Sequence, residues 1–193
     1  TNEMAAQIRQ RGGQADANEL LEAFLEPLNA NAHERYAQLR NGTATPDDFI
    51  VHGGLALLEL LTARGLHIII LSGNPHDQIT AEAEMLGLTG FCNGHVYGHT
   101  DANNFTKQAV LEKLMAEESF TGEEFIMFGD GAAEIEATCN LGGLPIAVCS
   151  DEHQNGSGRI DENKRAVLLE AGANVVIADY REPNTLLNLI IGK

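Results

Sequence analysis

Basic residues are scarce in this chain of 193 residues. Only 12 Lys and Arg stand against 28 Asp and Glu, a formal charge of −16. A surface that acidic repels nucleic acid and anionic lipid, so neither is expected as a partner. A small phosphorylated molecule stays admissible, because one lysine or a bound cation can outweigh the global field locally. Long apolar runs are missing too: none approaches the roughly 18 residues that span a bilayer. The opening TNEMAAQIRQRGG has no apolar core of the secretory kind. The three cysteines, Cys92, Cys139 and Cys149, show no C-x-x-C spacing and are odd in number. They read as thiols of a reducing compartment, neither a disulfide frame nor a zinc site, and a cytoplasmic location is expected. No G-x-x-x-x-G-K-[ST] loop is present, so GNP at 73–75 is not a nucleotide loop.

Apolar residues make up 44% of the chain and charged residues 21%, which is enough to bury a core. Residues 1–50 are rich in helix formers. Leu20, Leu21, Phe24, Leu25 and Leu28 recur at helical spacing, and Pro27 predicts a bend or break. NGTATPDD (41–48) reads as a loop. From residue 51 the pattern alternates. Helices are expected over 55–63, 75–86, 106–117, 132–140, 162–170 and 184–191. Strands are expected over 67–72 (HIIILS), 91–98, 124–130 (EFIMFGD), 144–150 (LPIAVCS) and 174–180 (NVVIADY). Continuous apolar strands between helices predict an α/β fold, a doubly wound Rossmann-like parallel sheet with helices on both faces. A helical segment precedes it on the N-terminal side.

In such sheets ligands bind at the carboxyl ends of the strands. Three places then matter. In LSGNP, Ser72 ends a strand, and its hydroxyl with the amides of Gly73 and Asn74 can grip an oxyanion; it reads equally as a turn or capping serine. In GDGAAE, Asp130 ends a strand and Glu134 follows about one helical turn on. Two such carboxylates can converge on a hard cation, or cap the helix and complement its positive end. In NFTKQAVL, Lys107 opens a helix against the macrodipole, which an anion would offset, although a solvated lysine that buries little is the ordinary case.

A strand-end Ser, a helix-start Lys and a strand-end Gly-Asp with a following acid, in that order, resemble motifs two to four of the haloacid dehalogenase-like superfamily of phosphohydrolases. VHGGLALLELLTARGLHIIILSGNP, AEAEMLGLTGFCNGHVYG, GGLPIAVCSDE and KRAVLLEAGANVVIADY extend the resemblance over residues 50–193. It implies an Mg²⁺-dependent phosphomonoester hydrolase acting on a small phosphorylated metabolite, a sugar phosphate among the candidates. Ser72 and Lys107 would be catalytic and, with Gly73 and Asn74, would hold the phosphoryl group. Asp130 and Glu134 would hold Mg²⁺. Residues 1–50 would belong to a helical cap, and 51–193 to the core without its first strand.

The family's first motif, an Asp-x-Asp after an apolar strand, occurs nowhere in the chain. Asp16 follows the polar QIRQRGGQ, and Asp101-Ala102-Asn103 lies downstream of Ser72, in the wrong order. The chain as it stands is therefore expected to be catalytically incomplete, with further sequence upstream in the natural protein and fusion to another domain left open. The alternatives are a non-catalytic remnant of the same fold that serves as a binding or regulatory module, and a receiver-like domain, whose order of Asp, hydroxyl and Lys this sequence does not follow. Four residues have no assigned role. His95 and His99, four apart between glycines, read as a surface loop before a metal pair. His76 and Asp151 sit at pocket rims. Arg159, Lys164 and Arg165 form the one basic cluster, read as a solvated helix face.

Overall fold

The computed structural model describes residues 2–14, 16–100 and 105–192. It divides into two compact units, Thr1–Thr45 and Pro46–Lys193. The first holds α1 (Asn2–Gln10) and α2 (Ala17–Asn41), which pack on each other. Helix α1 lies within the helical segment expected over residues 1–50 but was not singled out there, because it is only nine residues long and mostly polar. The helix α2 runs through Pro27 without interruption, so of the expected bend or break the break does not occur. Pro27 is exposed, so its ring displaces no packed neighbour, and the loss is confined to one helical hydrogen bond. The side chains of Leu21, Phe24, Leu25 and Leu28 lie outside the described residues, as does Asp101-Ala102-Asn103.

The second unit alternates as its pattern demands. After a 3₁₀ turn (Pro46–Asp48) come α3 (Gly54–Ala63), β1 (Ile70–Pro75), α4 (His76–Met85), β2 (Val96–His99) and α5 (Lys107–Glu118). Then follow β3 (Ile126–Gly129), α6 (Ala132–Asn140), β4 (Leu144–Val148), α7 (Glu162–Glu170), β5 (Val175–Ile177) and α8 (Pro183–Ile191). The ladders are all parallel. One antiparallel bridge, Ser150 to Ile160, closes the 151–159 loop. Helix starts are set by local polar groups. The Thr106 hydroxyl accepts the Ala109 N–H at 3.1 Å ahead of α5, and Asp161 accepts the amides of Asn163 and Lys164 ahead of α7. No described helix is long and apolar enough to cross a membrane.

The strands form two sheets, β1-β2 and β3-β4-β5. Each has its own core. Ile68, Ala83, Cys92 and Val96, with Ile70 and Ile79, fill the space under β1 and β2. Ile135, Ala147, Cys149, Leu168 and Ala173 fill the space between β4 and helices α6 and α7. Helix α5 packs against both β1 and α6 and so connects the halves. The split explains one displaced element. HIIILS was expected to be a strand from His67, but β1 starts at Ile70, where its ladder to Val96 begins, and continues to Pro75. A residue is in a sheet only where a neighbour supplies the hydrogen bonds, and β1 has a neighbour on one side only.

Candidate functional site

The carboxyl ends of β1 and β3 and the start of α5 carry the residues singled out above. At the tip of β3, Gly129 and Gly131 flank Asp130. A Cβ on Gly131 would stand 2.8 Å from the Glu134 carboxylate, and one on Gly129 would collide with the Glu134 Cγ. Two glycines are thus the condition for Glu134 to fold back over the strand end. It does so in the first turn of α6, where Oε1 accepts the Gly131 N–H at 2.8 Å. Glu134 Oε2 accepts from the Lys107 ammonium, also at 2.8 Å. The Thr138 hydroxyl donates to the Glu134 carbonyl at 2.7 Å.

Glu134 is buried, and the Lys107 side chain is 19% exposed. Lys107 is therefore not the freely solvated lysine expected of a helix start. It is drawn inward by a charge that would otherwise lie unpaired beneath the surface. The pair joins the third and fourth sequence segments directly. It also leaves both Glu134 oxygens engaged. Asp130 is different. Its side chain is 66% exposed, and its nearest cation is the Lys164 ammonium at 3.8 Å. The cause is local: Gly131, not Asp130, caps α6. Asp130 is thus the more exposed of the two carboxylates, with Lys164 near its Oδ2, whereas both Glu134 oxygens already accept a hydrogen bond. Burial alone would lower the Lys164 ammonium. The Glu152 carboxylate at 2.6 Å, and after it Asp130, outweigh burial and hold it above its ordinary value. Burial, and then Asp130, push the Tyr180 phenol upward.

Ser72 does not end β1, as the sequence suggested, but lies inside it where the ladder to β2 is interrupted between Leu71 and Pro75; there its hydroxyl accepts the Asn74 N–H at 3.1 Å. Gly73 and Asn74 are exposed, and a Cβ on Gly73 would meet nothing within 4 Å. Space therefore exists over this turn for a ligand to approach the backbone. His76 follows, exposed in the first turn of α4.

The other residues resolve as follows. Asp151 anchors the loop behind β4. Its Oδ1 accepts the amides of His153 and Gln154, and its Oδ2 accepts from Ser157 and doubly from Arg159, at 3.0 and 2.7 Å. The Arg159 guanidinium, then the His153 amide and the Ser157 hydroxyl, hold this carboxyl down at about 2 against the opposing effect of burial. The basic cluster is not a free face: Arg159, Lys164 and Arg165 are paired with Asp151, Glu152 and Glu162. His99 stands by Phe105, with ring centroids 6.0 Å apart. His95 meets His67 and Glu118 instead of His99. His67 and Glu118 were not singled out in the sequence, because they lie 28 residues before and 23 after His95 and no local spacing links them.

The chain is similar to proteins of known kind. A family model described as haloacid dehalogenase-like hydrolase matches residues 3–142. A phosphoserine phosphatase of Campylobacter jejuni subsp. doylei is 28% identical over 151 residues, 72% of this chain and 70% of that protein. A phosphoglycolate phosphatase of Rhodospirillum rubrum is 32% identical over 98 residues, 51% of this chain and 40% of that protein. A conserved haloacid dehalogenase-like protein of unknown function from Agrobacterium tumefaciens superposes with a TM-score of 0.68 at 15% identity, covering 97% of this chain and 77% of that one. With its parallel α/β strands and a family match over most of its length, the chain belongs to the haloacid dehalogenase-like hydrolases.

Proposed function

We propose that this chain is the phosphate-binding part of an Mg²⁺-dependent phosphomonoester hydrolase for small phosphorylated metabolites, of the size of phosphoserine or phosphoglycolate. One observation carries the reading: a lysine at the start of α5 is held at 2.8 Å by a buried glutamate beside the tip of β3. Phosphoryl transfer asks chiefly for fixed positive charge on the transferring oxygens. A lysine locked by Glu134 offers that charge with little reorganisation. Ser72, through its hydroxyl proton, and the exposed amide of Gly73 can donate to the same anion. The helical residues 1–50 serve as a cap segment that selects among esters, and 51–193 as the core.

The residues present fit Mg²⁺ through Asp130. Magnesium is commonly held by one or two carboxylates, with water and substrate phosphate completing its shell. Bound there, it would add positive charge beside the phosphoryl oxygens. Glu134, with both oxygens engaged, acts by positioning Lys107. Neither Ser72 nor Lys107 is a competent nucleophile. Ser72 has no base bonded to it among the described residues, and a neutral hydroxyl attacks poorly. Lys107 is cationic in its pair. The chain by itself thus binds phosphate without turnover. The absence of Asp-x-Asp also supports a second reading, a non-catalytic binding module of the same fold.

Calorimetry with inorganic phosphate in Mg²⁺ tests binding, and phosphate release from an aryl phosphate tests turnover. Binding that disappears in Lys107→Ala and Asp130→Ala supports the site, and its absence in the parent chain removes it. Robust Mg²⁺-dependent turnover by this chain, lost in Ser72→Ala, would overturn the account of the nucleophile.

A further inference from the structure

At the opposite ends of β1 and β2 from Ser72, three side chains from three elements converge. His67 precedes β1, His95 precedes β2, and Glu118 ends α5. Because β1 and β2 are parallel, both histidines stand at the same edge of their sheet. His67 Nδ1 lies 2.8 Å from Glu118 Oε2, and His95 Nδ1 lies 3.9 Å from Glu118 Oε1. The two rings meet edge to face with centroids 4.4 Å apart. One ligand atom from each residue falls within 4.8 Å of the other two.

We propose that His67, His95 and Glu118 form a binding site for a borderline divalent transition-metal ion, of which Zn²⁺ is the representative. The donor set decides the class. Two imidazoles and one carboxylate suit Zn²⁺ and its late first-row neighbours, whereas Mg²⁺ prefers oxygen alone. The spacing agrees. Bonds of about 2.1 Å in a tetrahedron put ligand atoms about 3.4 Å apart, and the three ligand atoms, already within 4.8 Å of one another, need to draw in by about an ångström. Small rotations of exposed or half-buried side chains then close the site. The nitrogens that face Glu118 are both Nδ1, so on binding each neutral ring keeps its proton on Nε2. Glu118 gives up its hydrogen bond to His67 and becomes a ligand.

Three protein ligands leave a fourth position open to water or a small anion. The Tyr97 hydroxyl lies 3.4 Å from His95 Nδ1 and would give up that contact when the nitrogen binds an ion. The site is separate from the Asp130 face. It ties together the segments that lead into β1 and β2 and the far end of the helix that begins with Lys107. An ion there clamps the framework that carries Ser72 and Lys107 without touching either.

The test uses untagged chain, since an affinity tag would add histidines. Zinc is titrated calorimetrically in excess Mg²⁺, with Asp130→Ala alongside. The expected result is one Zn²⁺ per chain, unchanged in Asp130→Ala. Binding should weaken tenfold or more in His67→Ala and in Glu118→Gln, the scale on which a metal-site residue counts. Cobalt substituted at the site should give visible ligand-field absorption that disappears in His95→Ala. Circular dichroism checks that each variant folds. His67 and Glu118 are exposed, so those two variants decide the matter even if His95→Ala fails to fold. Absence of stoichiometric binding, or binding undiminished in His67→Ala and Glu118→Gln, overturns the proposal. Loss of zinc with phosphate binding intact leaves the Lys107 site standing, so the two readings fail separately.

Discussion

Lys107 carries two burdens, and one substitution separates them. Lys107→Ala removes the one cation bonded to Glu134 among the described residues while leaving that carboxylate buried. The expected cost in unfolding free energy is about 3 kcal/mol, the range found when one partner of a buried pair is deleted. In an active form of the enzyme, kcat/KM should fall at least about 10²-fold as well. Denaturant titration and phosphate binding, measured on one preparation, check both, and near-parental stability would show that the pair is solvated. Asp151 makes a second case at this scale. Its carboxyl, held at about 2 chiefly by Arg159, is depressed below the unfolded value near 4. Its contribution to stability is therefore present above pH 4 and is lost as pH falls toward 2. In Arg159→Ala the folded value moves back toward the unfolded one, so the acid-dependent loss should be smaller, as thermal unfolding between pH 5 and pH 2 will show. The positions of Lys107 and Asp130 were legible because each stands at an element end marked by a cap or a glycine, whereas Ser72, read as a strand end, lies inside β1. The engagement of Glu134 was not legible. It depends on a lysine 27 residues away and on the missing Cβ atoms of Gly129 and Gly131, which no local spacing encodes.

Element boundaries follow hydrogen-bond supply as much as composition. The helices α6 and α7 lie where their apolar spacing and terminal glycines put them, because a helix satisfies its own backbone. Strands do not, and β1 shows it by starting three residues late, at the first residue with a partner on β2. Helix α2 differs in the other direction, since propensity argued for a bend or break at Pro27 and the helix is not broken there. An interior proline costs up to about 3 kcal/mol relative to alanine. Pro27 is exposed, so Pro27→Ala removes that cost with little loss of contact. The variant should show increased helical ellipticity and a raised melting temperature for the transition of α2. An unchanged melting profile would mean that α2 already tolerates the proline through a local bend.

At the scale of the molecule, the two-sheet arrangement sets where stability is concentrated. Strand β4 is paired on both sides, to β3 and β5, and Ile146 and Ala147 within it have no exposed surface. Strand β1 is paired to β2 alone and runs into the exposed Gly73–Pro75. Opening β4 requires breaking two ladders and the core shared with α6 and α7. Opening β1 requires one ladder and the core beneath it. Amide exchange reports such differences as separate opening free energies within one native protein. The amides of Leu144 and Ile146–Val148 should therefore be the slowest class, exchanging only with global unfolding. Those of Ile70–Asn74 should exchange through a smaller opening, one that stays detectable when denaturant raises the global rate. If the β1–β2 half is a cooperative part of the same unit, helix α5, which packs on both β1 and α6, is one route for that coupling, beside the contact of α3 with α8. Leu114, buried on α5, then becomes the test residue. Leu114→Ala, at a cost of about 2–5 kcal/mol, should speed exchange in β1 more than in β4. Equal acceleration of both would show that the two sheets unfold as one.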